Sequence, residues 1–453
     1  MAEGKRSIAI IGAGSAGTTA AYKLWREFGD DLDITVYERG KHAGGRAWDI
    51  HFAGERIEVG GTLLHSSGRH IMELMEFTGA KEGVSGLSID GKDETYGFWT
   101  SEGFPVFTHT SLVSMALGIV KHVGPYAALK VTNEATAMAE RWESIYKLQN
   151  AGRRFERPDD LLRALALHEP TTISLGEFLQ ERFVGKRMAE DIVEAITHNM
   201  YNQGLEMNAF AGLVGLAGAG LAGGYLFAVE GGNWTVFQKT LELMGVEARF
   251  GVGVQRVEAE ASSDGTRTFT VEADDDTRAT YDAVVIAAPF ALSGIEVFAD
   301  DERLDIPVHP YQRVECAFVA GDINPQYFGG KAKGRVPSTA YTATSAGAPF
   351  MSIGVTGFSP NYGKRIYKIF SAEHKMTDAE LGRIFERISD VRRFTWPGAY
   401  PVLTPGIEHV PFVLAPGLYY GCAFETAAGS IEVEAVGGTN AAGLAADYLH
   451  SLG

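Results

Sequence analysis

Residues 7–38 read SIAIIGAGSAGTTAAYKLWREFGDDLDITVYE, and this stretch decides the fold. It begins with a short apolar run that ends at glycine, which predicts a buried strand. The next part is typical of a helix with one apolar face, because apolar side chains repeat every four residues, at Ala20, Leu24 and Phe28. A second apolar run follows at residues 34–37. Strand, turn, helix and strand within about 30 residues predict a βαβ unit with parallel strands.

The turn between this strand and helix carries three glycines, Gly12, Gly14 and Gly17. The first allows a tight turn, the second lets the backbone approach a pyrophosphate, and the third lets helix and strand pack closely. The helix would then present free N–H groups and partial positive charge to the phosphates. Glu38 closes the second strand, where a carboxylate accepts hydrogen bonds from ribose hydroxyls and repels a 2′-phosphate. The pattern predicts a dinucleotide site that disfavours NADP.

Two further sequence motifs indicate which dinucleotide is bound. Arg39 follows Glu38 directly, residues 44–46 read Gly-Gly-Arg, and residues 58–62 read Glu-Val-Gly-Gly-Thr. The paired glycines let the backbone press on the pyrophosphate, while Arg46 supplies charge and a planar fork of donors. Together these strings resemble the FAD-binding signature of flavin amine oxidases, phytoene desaturases and their relatives. The second string has the spacing at which that superfamily passes beneath the flavin, so we expect FAD rather than NAD.

Composition excludes several function classes. The formal net charge of -17 argues against a polyanionic partner, since nucleic-acid binders usually carry a basic footprint. It also argues against strong attraction to anionic lipid, although a local patch leaves peripheral membrane contact open. No apolar stretch is long enough for a transmembrane helix, and the run at residues 8–11 is too short for a signal peptide, so we expect a cytoplasmic protein. Cys316 and Cys422 lie in apolar runs, which favours buried free thiols over one disulfide bridge.

The rest of the chain predicts a second lobe. Helix formers dominate the middle of the sequence, alternating strands begin at residue 248, and an amphipathic helix is expected at residues 377–388. We expect a two-lobed α/β fold of the glutathione-reductase type. Its FAD-binding domain would comprise residues 1–80, 230–300 and 410–453, and its mixed-sheet substrate domain residues 81–229 and 301–409. A helical insertion at about residues 109–200 would cover a substrate cavity or only pack against the core.

Several strings resemble one branch of that superfamily, the prenylcysteine oxidases, also called prenylcysteine lyases. The match begins with the glutamate, paired glycines and two histidines at Glu58, Gly60, Gly61, His65 and His70. It continues through residues 201–210, 228–233, 368–371, 396–401 and 418–432, so that it runs from residue 7 to about 447. Asn202 departs from the pattern, because the family has glycine there, and residues 198–201 also drift from it. Animal members enter the secretory route, whereas this chain shows no signal for it.

The resemblance implies oxidation of the carbon next to sulfur in a prenyl thioether. Hydride would leave to the flavin, water would add to the remaining cation, and the adduct would collapse to an aldehyde and a free thiol. Dioxygen would reoxidise the flavin and give hydrogen peroxide. The expected partners are therefore a small hydrophobic thioether and dioxygen, with no nucleic acid and no metal. A flavin amine oxidase, an isoprenoid desaturase of the phytoene type and a flavin-binding protein without turnover remain alternatives.

The motifs and the resemblance together assign site residues. Those expected to bind the cofactor are Gly12, Gly14, Ser15, Ala16, Gly17, Glu38, Arg39, Gly45, Arg46, Gly61, Thr62, Val254, Glu425, Ser430 and Ile431. The catalytic candidates are His65, Tyr201, Trp396 and Tyr400. His65 would line the flavin and activate water, since its ordinary pKa lies near neutrality, or it would only hydrogen-bond the backbone. The aromatic rings would wall a cavity for an isoprenoid chain, or they would be plain core.

Three further residues are expected to lie outside the chemistry or at its edge. His70 is expected to be structural. Arg313 stands where amine oxidases place a lysine that holds a water at the flavin. Lys368 is an alternative for that lysine, although a surface position at a strand edge is the simpler expectation for it.

Overall fold

The computed structural model describes residues 5–83, 95–109, 112–261, 266–329, 336–371 and 374–452. The strands are β1 (Arg6–Ile11), β2 (Leu32–Glu38), β3 (Trp48–Phe52), β4 (Glu55–Gly60), β5 (Leu64–His65), β6 (Glu82–Gly83), β7 (Thr95–Thr100), β8 (Gly103–His109), β9 (Leu226–Val229), β10 (Glu247–Phe250), β11 (Val254–Ala261), β12 (Arg267–Ala273), β13 (Arg278–Tyr281), β14 (Ala283–Ile286), β15 (Glu296–Ala299), β16 (Glu302–Arg303), β17 (Tyr311–Ile323), β18 (Thr339–Thr342), β19 (Ser352–Ser359), β20 (Lys364–Ser371), β21 (Phe385–Pro401), β22 (Val413–Ala415) and β23 (Leu418–Tyr420).

The helices follow the same chain order. They are α1 (Ser15–Phe28), α2 (Arg69–Thr78), α3 (Leu112–Val123), α4 (Pro125–Trp142), α5 (Ser144–Asn150), α6 (Pro158–Ala164), α7 (Glu169–Thr172), α8 (Leu175–Glu181), α9 (Glu194–Tyr201), α10 (Ala209–Leu216), α11 (Trp234–Met244), α12 (Phe290–Ser293), α13 (Asp378–Ile384) and α14 (Ile431–Ser451). Shorter helical turns lie at Gly29–Asp31, Met188–Val193, Ala217–Leu221 and Thr344–Ala346.

The predicted βαβ unit is confirmed. Strands β1 and β2 run parallel, with Ile8 opposite Ile34 and Ile11 opposite Tyr37, and α1 connects them. They belong to a six-stranded sheet of order β10-β2-β1-β14-β23-β22, in which β1 also pairs parallel to β14. Its strands come from three separated parts of the chain, and residues 8–11 of β1 and all of β14 are buried at its centre. How the chain divides into domains remains a prediction.

Two further sheets of five or more strands accompany the six-stranded sheet. A five-stranded sheet has the order β13-β12-β11-β15-β16, and a seven-stranded sheet has the order β21-β17-β20-β19-β18-β7-β8. The acidic residues 274–276 lie at the turn between β12 and β13, as expected for a solvated hairpin tip. Helices α3 to α9 fill most of the region that the sequence predicts to be helical.

Helices α1 and α14 pack on each other at very short range, which sets one wall of the site. An added methyl group at Gly438 of α14 would overlap the Ala16 carbonyl oxygen of α1, and one at Gly17 would overlap the Gly12 carbonyl oxygen in the turn between β1 and α1. Only glycine allows such backbone approach, so these positions explain the small residues of α14.

The helix expected at residues 377–388 is shorter, because it ends at Ile384. Its start follows the sequence: the Thr377 hydroxyl accepts a hydrogen bond from the Glu380 amide, and the Glu380 carboxylate accepts one from the Thr377 amide. Its end does not, because Phe385 pairs with Ile323 at the start of the long strand β21. Sheet pairing therefore overrides the local helical pattern here.

Candidate active site

The glycine turn after β1 forms an open cradle at the start of α1. Gly12 has a φ of 109°, and an added methyl would lie 2.5 Å from the Ala287 carbonyl oxygen. The Gly44–Gly45 turn lies opposite, since the Gly44 amide donates to the Ala13 carbonyl at 2.9 Å. A methyl on Gly45 would lie 3.3 Å from the Gly14 Cα. Two backbone segments therefore face each other with no side chain between them, and a Cβ on either would narrow this cradle.

Glu38 closes one side of the cradle. Its carboxylate accepts hydrogen bonds from the amide of Ala13 at 2.8 Å and the amide of Gly40 at 2.6 Å. The turn before β11 is tied to the same place, because the Val252 amide donates to the Glu38 carbonyl at 3.0 Å. Glu38, Arg39 and Val254 are thus brought to one end of the cradle, as predicted for a shared contact with the adenosine half.

Arg46 leads from the cradle into a buried group of charged side chains. It forms an ion pair with Glu425, which is only 1% exposed, and donates to the Ala399 carbonyl at 3.0 Å. The Tyr311 hydroxyl donates to the other oxygen of Glu425 at 2.7 Å. Burial lowers the pKa of Arg46 and the carboxylate of Glu425 raises it, and the net pKa is well above its usual range. The guanidinium therefore stays charged, and its one charge balances that of Glu425.

A second carboxylate, Glu434, lies beside this pair with neither oxygen hydrogen-bonded to a described residue. Burial and the charge of Glu425 raise the pKa of Glu434 well above its usual value. Burial likewise raises the pKa of the Cys422 thiol. The ligand atoms of Cys422, Glu425 and Glu434 lie within 4.8 Å of one another. Arg46 already neutralises Glu425, and burial favours protonated Glu434 and Cys422, so this group lacks the anionic charge that a cation would require.

The strand beneath the cradle is held by two buried polar side chains. The side-chain Nδ2 of Asn233 donates to the Gly61 carbonyl at 2.5 Å, and the backbone N–H of Asn233 donates to a Glu58 carboxylate oxygen at 2.9 Å. Lys368 donates from Nζ to the Glu58 carbonyl at 3.1 Å and to the Thr62 hydroxyl at 3.0 Å. The expectation of a surface position for Lys368 is wrong, since this side chain is buried in the interior strand β20 and burial lowers its pKa.

The start of α14 completes the site. Ser430 caps the helix by accepting a hydrogen bond from the Val433 amide at 3.1 Å, and the Ser15 hydroxyl donates to the Ile431 carbonyl at 2.6 Å. A methyl on Gly61 would lie 3.2 Å from Ile431 Cδ1. Residues predicted from three distant strings therefore meet at one helix N-terminus, and Ala16 of α1 packs further along the same helix, against Gly438.

The aromatic candidates lie on the same side of the site. The rings of Tyr201 and Tyr400 contact edge to face at 5.4 Å, and a methyl on Gly429 would lie 3.5 Å from Tyr400 Cδ1. The Trp396 indole packs on Gly60, where an added methyl would lie 2.9 Å from its Cζ2. Burial raises the pKa of both tyrosines, so their hydroxyls remain neutral.

His65 lies on β5, in a hydrogen-bonded setting of its own. Its Nε2 lies 3.1 Å from the Gly223 carbonyl and its Nδ1 lies 2.7 Å from the Ser67 hydroxyl. A carbonyl only accepts, so Nε2 carries the proton and Nδ1 accepts from Ser67. Burial lowers the pKa of His65, and the neutral ring already has both nitrogens engaged. No described hydrogen bond or ring contact joins His65 to the aromatic candidates.

His70 has structural contacts only among the described residues. Its Nε2 lies 2.8 Å from Gln149 Oε1, and its backbone amide donates to Glu432 at 3.0 Å. Glu432 also accepts hydrogen bonds from the Ile71 amide and the Tyr146 hydroxyl, and it thereby fixes the start of α2.

The sequence did not predict a role for Tyr311 or Glu434. Neither residue belongs to a motif that indicates which side chains it will contact in the folded chain.

The family follows from comparison with known proteins. Residues 119–451 match the model of the family described as prenylcysteine lyase, and residues 10–77 match that of an NAD(P)-binding Rossmann-like domain. The chain belongs to the prenylcysteine lyase family. Farnesylcysteine lyase of Arabidopsis thaliana is 28% identical to it, over 97% of this chain and 87% of that protein. Prenylcysteine oxidase 1 of Homo sapiens is 27% identical, over 97% and 88% of the two chains.

Solved structures confirm the expected α/β fold of this prenylcysteine lyase family member. Putrescine oxidase with bound putrescine superimposes with a TM-score of 0.64 at 16% identity, over 98% of this chain and 99% of its own. Cyclohexylamine oxidase from Brevibacterium oxydans gives 0.61 at 16% identity, over 99% of each chain. At this identity the likeness establishes the nucleotide-binding fold and not the substrate. No described helix has the length and apolar character needed to cross a bilayer.

Proposed function

We propose that this chain is an FAD-dependent oxidase that acts on an S-prenylated cysteine or a related thioether. The family match over residues 119–451 carries the choice of substrate class. The facing turns at Gly14 and Gly45 support the cofactor, because they leave room for a diphosphate beside a charged guanidinium. FAD, when bound, would accept hydride from the carbon next to sulfur and pass electrons to dioxygen.

The polypeptide's own contribution is binding and orientation. Gly12, Gly14 and Gly45 would hold the diphosphate through backbone groups, with Glu38 at the ribose and Arg46 supplying positive charge. The first-turn N–H groups of α14, at Ile431, present partial positive charge to the end of the site opposite the adenosine. Such a donor stabilises negative charge that develops during the reaction.

The reacting thioether requires an apolar wall. Tyr201, Tyr400 and Trp396 offer aromatic faces that suit an isoprenoid chain and exclude water from the site. Lys368 has a lowered pKa and contacts Thr62, so it is the described cationic side chain best placed to hold a proton or a water beneath the cradle. His65, with both nitrogens engaged, is better suited to fixing the Gly223 turn than to abstracting a proton.

The test is anaerobic reduction of the purified holoprotein. Farnesylcysteine should bleach the flavin absorbance, and readmission of air should give hydrogen peroxide, an aldehyde and free cysteine in equal amounts. A saturated S-alkyl cysteine of similar length is the matched control. It lacks the allylic double bond that stabilises the developing cation, so it should react at least about a hundredfold more slowly.

Two outcomes would contradict the proposal. A colourless protein that cannot be reconstituted with FAD would exclude the cofactor. The substrate class would be excluded if the bound flavin is not reduced by any thioether but is reduced by an amine such as putrescine. That result would favour an amine oxidase.

A further inference from the structure

Two consecutive helices of the structure expose large apolar side chains to solvent. Val113 and Leu117 of α3 are 69% and 64% exposed, and Tyr126 and Leu129 of α4 are 63% and 61% exposed. Elsewhere among the described residues, only Phe183 and Val308 exceed 60% exposure in this class. Most of the strongly exposed large apolar groups are therefore concentrated within 17 residues, which a folded surface rarely shows without a binding role.

Together with Lys121, these side chains form one exposed face on each of two consecutive helices, and we call the two faces the α3–α4 patch (Val113, Leu117, Lys121, Tyr126 and Leu129). On α3 they recur at intervals of four and on α4 at an interval of three, so each set lies on one helical face. Gly124, with a φ of 87°, joins the two helices directly.

A fifth strongly exposed apolar side chain lies near helix α4. Arg182 lies 3.3 Å from Glu134 of α4, which brings the highly exposed Phe183 to the same helix.

The charge of this region differs from that of the chain as a whole. Asp and Glu number 57 in 453 residues, about one in eight, yet none occurs between residues 103 and 133. The same stretch carries Lys121 and Lys130, and Lys121 is exposed. Lys130 pairs with Glu134 at 3.4 Å. The patch is thus apolar and weakly basic on a protein whose net charge is -17.

We propose that the α3–α4 patch is a membrane-contact surface that seats on a bilayer containing anionic lipid. Apolar side chains with a flanking lysine, in a stretch of chain without Asp or Glu, match an interface of acyl chains beneath negative headgroups, while the nearby carboxylates Glu134 and Asp191 are paired with Lys130 and His122. The stem of Lys121 would lie along the apolar layer and its ammonium among the headgroups. A protein partner would need hydrogen-bonding groups within the patch, and the patch offers none beyond Lys121 and the Tyr126 hydroxyl.

One helix connects this surface to the candidate active site. Helix α4 extends about 24 Å from Tyr126 to Trp142. The Trp142 ring packs at 5.6 Å from Phe424, the neighbour of Glu425. The proposed surface and the site therefore share a rigid element, although membrane binding does not depend on the proposed thioether chemistry.

The test is flotation of the full-length protein with large unilamellar vesicles. One preparation contains phosphatidylcholine with about 30% phosphatidylserine, and the other contains phosphatidylcholine alone. Wild type should float with the first and less with the second. The double variant Leu117→Ser/Leu129→Ser should bind at least about tenfold more weakly, because two leucines no longer enter the interface. Lys121→Glu should weaken binding to the anionic vesicles alone, as 0.5 M salt should for wild type.

The matched control is Leu243→Ser/Val308→Ser, which removes exposed apolar side chains outside the patch, at 52% and 64% exposure. It should float like wild type, and circular dichroism should be the same for both double variants. Failure of wild type to float, or an equal loss in both double variants, would overturn the proposal. A dimer in solution that Leu117→Ser/Leu129→Ser abolishes, without flotation, would overturn it in favour of a second copy of this chain.

Discussion

The glycine cradle adjoins the buried charge group of Arg46, Glu425 and Glu434, and Arg46 connects the two. They differ in which part of the polypeptide forms them. The cradle consists of backbone, and its shape is fixed by a φ of 109° at Gly12 and the close approach of Gly17. The charge group consists of side chains: the Arg46 guanidinium balances the charge of the buried Glu425, and the buried Glu434 beside them has a raised pKa and stays neutral. The shape of a site made of backbone depends on residues that lack a side chain. The stability of a buried group of charges depends on how many of its side chains are protonated.

This difference predicts different responses to substitution. The cradle should fail abruptly, because a methyl group cannot be accommodated against a carbonyl oxygen. The charge group should respond in graded steps that depend on pH. Four substitutions distinguish these responses, and their expected effects decrease from Gly17→Ala to Asn202→Gly.

Gly17→Ala should have the largest effect. The added methyl would overlap the Gly12 carbonyl oxygen, which lies in rigid backbone, so we expect a loss of at least about 3 kcal/mol and loss of bound flavin. Flavin content per protein and the urea midpoint measure both. Gly382→Ala is the control, since no heavy atom lies within 4 Å of its added methyl and it lies inside α13. It should be neutral or slightly stabilising, and a folded, yellow Gly17→Ala would show that α1 can shift.

Glu425→Gln should destabilise the charge group by about 3 kcal/mol. It leaves the Arg46 guanidinium without its counter-charge, and the effect is below that of a fully buried pair because 31% of the Arg46 side chain is exposed. Urea unfolding at pH 7 measures it. The control is Glu296→Gln, whose ion pair with Arg303 joins two exposed side chains, at 46% and 65%, and should contribute less than about 1 kcal/mol. A similarly small loss for Glu425→Gln would mean that Glu434 releases its proton and takes over Arg46.

The same contrast explains how far sequence alone reaches. The turn at Gly12, the strand ending at Glu38 and the start of a helix near residue 377 were all predicted, because glycine turns, short apolar runs and helical periodicity are local features of the sequence. The burial of Lys368 and the pairing of Tyr311 with Glu425 were not, because each depends on strands that meet only in the folded chain. For the same reason, the end of α13 was placed too late.

Glu434→Gln should stabilise the protein as the pH rises. The carboxyl is protonated in both states below about pH 4, so wild type and variant should then be equally stable. Above that pH the unfolded wild-type chain ionises while the folded carboxyl, whose pKa is raised, stays neutral, so wild type loses stability through this range. We expect the variant to be more stable by about 1–2 kcal/mol at pH 7.

Glu432, which is close to Glu434 in the chain, provides a control in which the change of stability should have the opposite sign. Glu432 lies two residues away and accepts three hydrogen bonds, from the amides of His70 and Ile71 and the hydroxyl of Tyr146. Glu432→Gln should therefore destabilise the protein by about 1–2 kcal/mol at pH 4, and this loss should shrink toward pH 7 because burial also raises the pKa of Glu432. Unfolding curves at pH 4, 5, 6 and 7 compare the two. A Glu434→Gln difference that stays flat across this range would show that Glu434 has an ordered partner and is ionised.

Asn202→Gly should have the smallest effect, and its sign is informative. Asn202 ends α9 with a φ of 57°, a conformation that glycine adopts without strain, and neither polar atom of its buried side chain has a hydrogen-bond partner among the described residues. Removing two unpaired polar groups favours the folded state, while the greater freedom of glycine favours the unfolded state by about 0.5–1 kcal/mol. We expect a change between zero and about 1 kcal/mol of stabilisation, measured as a shift in Tm.

Asn208→Gly gives the matched comparison, because that amide is fully engaged. Its Oδ1 accepts from the Ala211 amide at 2.8 Å and its Nδ2 donates to the Ala427 carbonyl at 3.1 Å, so its loss should cost about 1–2 kcal/mol. If Asn202→Gly proves equally costly, the Asn202 amide is paired in solution, and water enters between α9 and the strands that pack on it. Such water would lie beside the Tyr201–Tyr400 wall rather than at the cradle.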